Sequence, residues 1–214
     1  MSNRRPSRRT SGSVEAPPSL VYNFAMRLFL AFDIPLSFRL PLEEVIGQLK
    51  RSGGVVRWVD PASIHLTLAF FGESDEAGRE RIERVMGEVF PKHDPIELTF
   101  QGLGTFPGSS GSVPRVVWVG LNRSLPLETL YRDLSSRFAS VGFPPEERTF
   151  SPHLTIGRVK APDGVSGLRR AVEERKNFSL GTFQATEGTL FKSTLTPRGA
   201  CYEALTSVKL GVKP

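Results

Sequence analysis

The sequence predicts an α+β fold made of two similar lobes of antiparallel sheet backed by helices. Two observations predict it. Strand and helix patterns interleave along the chain as strand, helix, strand, helix, strands, helix, strand, helix, strands. A short pattern also recurs, Ser63-Ile-His-Leu-Thr-Leu and Ser151-Pro-His-Leu-Thr-Ile. An internal repeat on that scale points to two similar lobes facing each other.

Each element has a local cause. Residues 2 to 19 are rich in Arg, Ser and Pro and poor in large apolar side chains, so a disordered basic tail is expected over residues 1–25. Folded sequence is expected from Met26 onward, as one bilobal domain over 26–214. Arg27 to Ile34 is a short apolar run closed by Pro35, which reads as a buried strand. In Leu36 to Lys50 the apolar residues Leu42, Val45, Ile46 and Leu49 fall at helical spacing. Val55–Val59 and Ser63–Phe71 read as strands. Asp75–Phe90 reads as a charged helix with Ile82, Val85, Met86 and Val89 on one face. Ile96–Leu103 and Pro114–Leu121 are strand patterns, Pro126–Val141 a second long helix, and Pro152–Val159 a strand. Val165–Arg175 is helical. Phe178–Glu187, Gly188–Leu195 and Cys201–Lys209 are strand patterns separated by turn residues.

Bulk composition bounds the function. A chain of 214 residues with 39% hydrophobic and 23% charged residues is a soluble globular protein with an ample core. It has no apolar run of the roughly 18 residues that a membrane span needs. Nor is there an apolar stretch near the start to form a secretory signal. One cysteine, Cys201, excludes a disulfide framework and a cysteine-based zinc site. A cytoplasmic setting is the simplest reading, with Cys201 a small buried side chain. Of the net charge of +6, half lies in the first 25 residues, on Arg4, Arg5, Arg8 and Arg9 against Glu15. That mild excess suits an anionic partner such as RNA but identifies none.

The repeat carries the chemistry. In a strand, residues i and i+2 share a face. His65 therefore projects with Thr67, and His153 with Thr155. Leu66, Leu68, Leu154 and Ile156 point into a core and fix the register. Two imidazoles near neutrality can serve as one acid and one base. Two threonine hydroxyls can donate hydrogen bonds to the non-bridging oxygens of a phosphate. Arg158, five residues after His153, falls on the opposite face by alternation. It joins the site only through a bend near Gly157 or by reaching round the strand end, and then adds a phosphate contact. Such a site suits in-line displacement at phosphorus without a metal or other cofactor. His93 sits in a turn-like Pro-Lys-His-Asp-Pro segment and is expected to be solvated. Phe71, Phe106 and Phe150 flank the expected cleft and are candidates to stack a base, although core packing is the default for a phenylalanine.

At these residues the chain resembles the two-histidine (2H) phosphoesterase superfamily, defined by paired His-x-Thr/Ser-x motifs. More specifically it is similar to the bacterial and archaeal RNA 2′,3′-cyclic phosphodiesterases, once called 2′-5′ RNA ligases. MRLFLAFDIP, VRWVDPASIHLTLAFFGE, PRVVWVG, VGFPPEERTFSPHLTIGRVK and TLTPRGACYEAL carry the likeness, over roughly residues 26 to 210. The resemblance implies the bilobal 2H fold, with a pseudo-two-fold axis and a central water-accessible cleft. It implies hydrolysis of terminal RNA 2′,3′-cyclic phosphodiesters to 2′-phosphomonoesters, and weak reverse 2′-5′ ligation as a side activity. In that scheme His65 donates a proton to the leaving 3′ oxygen, His153 activates water, and Thr67, Thr155 and Arg158 hold the phosphate. The implied partners are RNA with 2′,3′-cyclic phosphate ends or small cyclic nucleotides, handled by a monomer without a membrane. Two alternatives stay open. One is a 2H enzyme acting on a small cyclic nucleotide or an RNA 3′ end. The other is a nucleotide- or RNA-binding module without turnover, against which two intact motifs and Arg158 both argue.

Overall fold

A computed structural model describes residues 25–107, 113–145, 149–197 and 199–211. The tail expected to be disordered lies almost wholly outside the described residues. Among these described residues nine strands and four α-helices follow one another as β1 (Met26–Asp33), α1 (Arg39–Lys50), β2 (Val56–Trp58), β3 (His65–Ser74), α2 (Glu76–Val89), β4 (Ile96–Phe106), β5 (Val116–Leu121), α3 (Leu125–Ser140), β6 (His153–Val159), α4 (Val165–Glu173), β7 (Ser179–Ala185), β8 (Glu187–Thr196) and β9 (Gly199–Lys209). The fold is mixed α+β, as the interleaved patterns predict. Among the described residues, no helix is long and apolar enough to cross a membrane.

Helix boundaries follow from capping. The Asp75 carboxylate accepts from the Gly78 amide at 2.7 Å and starts α2. Ser124 caps α3, with Pro126 inside the first turn where its missing N–H costs nothing. The start of the first expected helix is tighter than anticipated: Leu36–Phe38 forms a 3-10 turn before α1 begins.

The strands form one antiparallel sheet in the order β7-β4-β5-β6-β3-β1-β8-β9. Four strands lie on each side of the β6–β3 junction, and each side carries one copy of the His-Leu-Thr repeat. The two sides meet through Leu66 and Leu154, which are register partners. Beyond that point β6 pairs instead with β2, Val56 against Val159 and Trp58 against Gly157. The two histidine strands therefore diverge from a common point, which opens a wedge between the lobes.

All four helices pack on one face of this sheet. Leu42, Ile46 and Leu49 of α1, Ile82 and Met86 of α2, Leu127 and Leu130 of α3, and Leu168 of α4 join Leu66, Leu68, Leu154 and Ile156 in one contiguous buried cluster. The opposite face of each histidine strand is left for the wedge. A smaller aromatic cluster of Phe29, Ala31 and Phe191, with Tyr202 against it, lies apart from that core.

Two expectations are corrected. His93 is not solvated: its side chain is 14% exposed, and Nε2 lies 3.1 Å from Asp133 Oδ2 on α3. The turn that holds it follows α2, which packs on α3, so the ring is caught between helix and loop. Cys201 is exposed rather than buried, because it sits near the turn end of the outermost hairpin, opposite Thr194.

Leu154 is fully buried at the junction of the lobes. Leu154→Ala should lower stability by about 2–5 kcal/mol, the cost of lost transfer plus a cavity. Urea unfolding checks this, and a change below about 1 kcal/mol would show that the junction carries little of the packing.

Candidate active site

The wedge is a cleft of about 1510 Å³. His65, Thr67, His153, Thr155 and Arg158 all line it. Alternation places the first four there, since Leu66, Leu154 and Ile156 behind them have no exposed surface.

Both histidines are held in the same way. His65 Nδ1 lies 2.9 Å from the Ser63 carbonyl oxygen. His153 Nδ1 lies 2.7 Å from the Ser151 carbonyl oxygen. A carbonyl only accepts, so each Nδ1 carries the hydrogen and each Nε2 is left free. The acceptor is in both cases the main chain two residues earlier. On the first lobe a 3-10 turn, Pro61–Ser63, fixes that carbonyl, and its cap is the Asp60 carboxylate accepting from the Ala62 amide at 2.9 Å. On the second lobe Phe150, just before Ser151, stacks on Tyr131 of α3 with ring centres 3.8 Å apart.

Arg158 reaches the cleft through a bulge. Along β5 and β6 the pairing runs from Val117 against Gly157 to Trp118 against Thr155, which leaves Ile156 extra. One extra residue resets the alternation, so Arg158 emerges on the side of His153 and Thr155. A β-carbon on Gly157 would come within 2.9 Å of Trp58 and of Val56, so a side chain at the bulge would push β2 away.

Aromatic rings flank both imidazoles, unequally. Phe29 lies 4.8 Å from the His65 ring, and Tyr202 meets it edge-on at 5.2 Å. His153 has Phe106 edge-on at 5.0 Å. Phe106 in turn packs on Trp118, whose ring lies over Gly104, where a β-carbon would come within 2.1 Å of it. All three phenylalanines expected at the cleft line it, and Phe106 also contacts a site histidine. Phe71 is drawn toward α3, with Phe138 4.8 Å away and Phe143 5.4 Å away. Phe150 is occupied by Tyr131. The rings about His65 escape a reading of the sequence, because Phe29, Phe191 and Tyr202 come from three separate strands.

The electrostatics are those of a site that favours an anion. Burial lowers the pKa of His65 below its ordinary value; the Ser63 hydrogen bond opposes this, and the Arg158 charge adds to it. His153 is lowered for the same reasons, burial first, against the Ser151 hydrogen bond and with Arg158. Arg158 thus acts on both rings. Arg27, Arg115 and Lys160 also line the cleft, and among the described residues no carboxylate does. Among the described residues neither threonine hydroxyl has a partner, and no three His, Cys, Asp or Glu side chains converge as metal ligands. Two free imidazole nitrogens, two hydroxyl donors and a guanidinium facing one cleft can bind a phosphate group and move protons on either side of it.

Known proteins resemble this chain in sequence and fold. Residues 39–194 match the model of the 2′-5′ RNA ligase superfamily. The RNA 2′,3′-cyclic phosphodiesterase of Methanothermobacter thermautotrophicus is 36% identical over 177 residues, covering 83% of this chain and 95% of that one. Among solved structures, TT0787 of Thermus thermophilus matches with a TM-score of 0.74 at 25% identity, covering 87% of this chain and 98% of that one. Escherichia coli LigT in complex with 3′-AMP matches with a TM-score of 0.67 at 27% identity, again covering 87% and 98%.

The two tethers make a direct prediction. In the free protein both imidazoles should be neutral Nδ1–H tautomers at pH 7, titrating below the ordinary histidine value of 6.5. Long-range nitrogen–proton NMR spectra across a pH series read both properties. An Nε2–H tautomer, or titration above that ordinary value, would contradict the geometry described.

Proposed function

Because the chain belongs to the 2′-5′ RNA ligase superfamily, with relatives named RNA 2′,3′-cyclic phosphodiesterase, we propose that it hydrolyses terminal 2′,3′-cyclic phosphodiesters of RNA to 2′-phosphomonoesters. The observation that carries the reading is the matched pair of tethers, which leaves two free Nε2 atoms in one cation-lined cleft.

The phosphate lies between the imidazoles, with its non-bridging oxygens on the Thr67 and Thr155 hydroxyls and the Arg158 guanidinium. His153 Nε2 takes a proton from water as the water oxygen attacks phosphorus. The bond from phosphorus to the 3′ oxygen breaks in line with that attack. His65 Nε2 gives its proton to the departing 3′ oxygen, so the products are a 3′ hydroxyl and a 2′ phosphate. The reaction needs His65 protonated while His153 is neutral. Burial and Arg158 disfavour that state in the free site, and the bound phosphate restores it, since an anion beside an imidazole raises its pKa. The rate should therefore follow a bell-shaped pH profile that belongs to the coupled pair. The cyclic ester is strained and carries its own leaving group, so proton transfer and charge stabilisation suffice, and no metal is assigned a part. Weak 2′-5′ ligation follows when the 5′ hydroxyl of a second RNA takes the place of water: His153 takes its proton as the 5′ oxygen attacks phosphorus, the bond to the 3′ oxygen breaks with a proton from His65, and a 2′-5′ phosphodiester results. A monomer in the cytoplasm is the setting this reading supposes.

An oligonucleotide ending in a 2′,3′-cyclic phosphate tests it. Turnover should persist in excess EDTA and yield the 2′ isomer. His65→Ala and His153→Ala should each lower kcat by roughly 10²- to 10⁴-fold, the usual worth of general acid–base catalysis. Complete loss under chelation, a 3′-phosphate product or near-normal rates in either variant would overturn the mechanism.

A further inference from the structure

The cleft continues past the histidine pair. Beyond Thr155, β6 carries Arg158 and the chain continues to Lys160, both lining the same wall, with Arg115 beside them just before β5. The Val159 amide donates to the Arg115 carbonyl at 2.9 Å, and Arg158 is the register partner of Val116, so the three cations share one end of the cleft. All three side chains are exposed. None of them is ion-paired among the described residues, and no described carboxylate lines the cleft to neutralise them. A strand advances about 3.3 Å per residue, and the bulge at Ile156 takes up one of the five steps, which sets Lys160 roughly 13 Å beyond Thr155. That is too far for Lys160 to serve the phosphate held between the imidazoles. Small apolar residues, Val59, Pro114, Ala161 and Pro162, line the cleft beside them.

We propose that Arg115 and Lys160 form a second anion subsite, which receives the phosphodiester preceding the terminal nucleotide of an RNA chain. The inference rests on the function proposed above and adds a preference to it, for the ends of chains over free cyclic mononucleotides. A nucleoside 2′,3′-cyclic phosphate has no preceding phosphodiester and gains nothing from the pair. An oligonucleotide gains one neutralised phosphate, worth about 0.7 in the slope of log affinity against log salt for a single strand.

The test compares kcat/KM for a nucleoside 2′,3′-cyclic phosphate and for a trinucleotide ending in the same group, in the wild type and in the R115Q/K160Q double variant. Both side chains are exposed, and circular dichroism confirms that the variant is folded. The wild type should favour the trinucleotide at least ten-fold through a lower KM, and the variant should lose most of that preference. A wild type indifferent to length, or a variant that keeps the preference, would overturn the subsite. If the wild type opens neither substrate, the function is wrong, and the subsite is judged by binding alone. Fluorescence anisotropy with a labelled trinucleotide bearing a 3′-terminal phosphate then decides. Affinity at least five-fold weaker in the variant, with a shallower salt dependence, supports the subsite, and equal affinity refutes it.

Discussion

The site depends on one point of contact between two strands. Leu66 and Leu154 are register partners where β3 meets β6, and each is immediately followed by its lobe's threonine and preceded by its histidine. Alternation turns that apolar pair into a positional constraint on four polar residues. With both leucines fixed in the core, His65, Thr67, His153 and Thr155 have only the cleft to occupy. The helices packed behind the sheet lock the leucines, and the departure of β6 toward β2 gives the polar face its depth. Packing energy from a shared core is thereby converted into the alignment of groups that contribute nothing to that core.

Much of this was legible in the sequence because strand periodicity and helical spacing are local properties. The helix faces are read directly from Leu42, Val45, Ile46 and Leu49, or from Ile82, Val85, Met86 and Val89, all of them buried. The polar repeat sits on strands whose alternate residues are buried, and the register follows. What stayed hidden depends on partners far apart in the chain. His93 meets an aspartate on another helix, and its own neighbours say nothing of that. Cys201 is small and apolar enough for a core, yet its place near a hairpin end leaves it outside. The aromatic surround of His65 gathers residues from β1, β8 and β9, which no local pattern joins.

Arg158 shows how a local rule fails informatively. Strict alternation sends it away from the histidines, and the structure obeys alternation up to Ile156. A bulge there adds one residue, and Gly157 is the residue small enough to let β2 lie close against it. The hydrogen bonds that orient the imidazoles were equally invisible, for a different reason. Their acceptors are main-chain carbonyls, which every residue possesses, so only the path of the backbone shows them.

The matched tethers have a consequence for direction. Two rings held through the same atom by the same kind of acceptor differ only in their surroundings, and here those are unequal: Phe29 and Tyr202 crowd His65 while Phe106 touches His153. The tethers by themselves distinguish neither ring, so any difference between the two must come from these neighbours and from Arg158, which stands on β6 alone. A ligand seated the other way round would meet the same two tethers but exchanged aromatic and cationic neighbours.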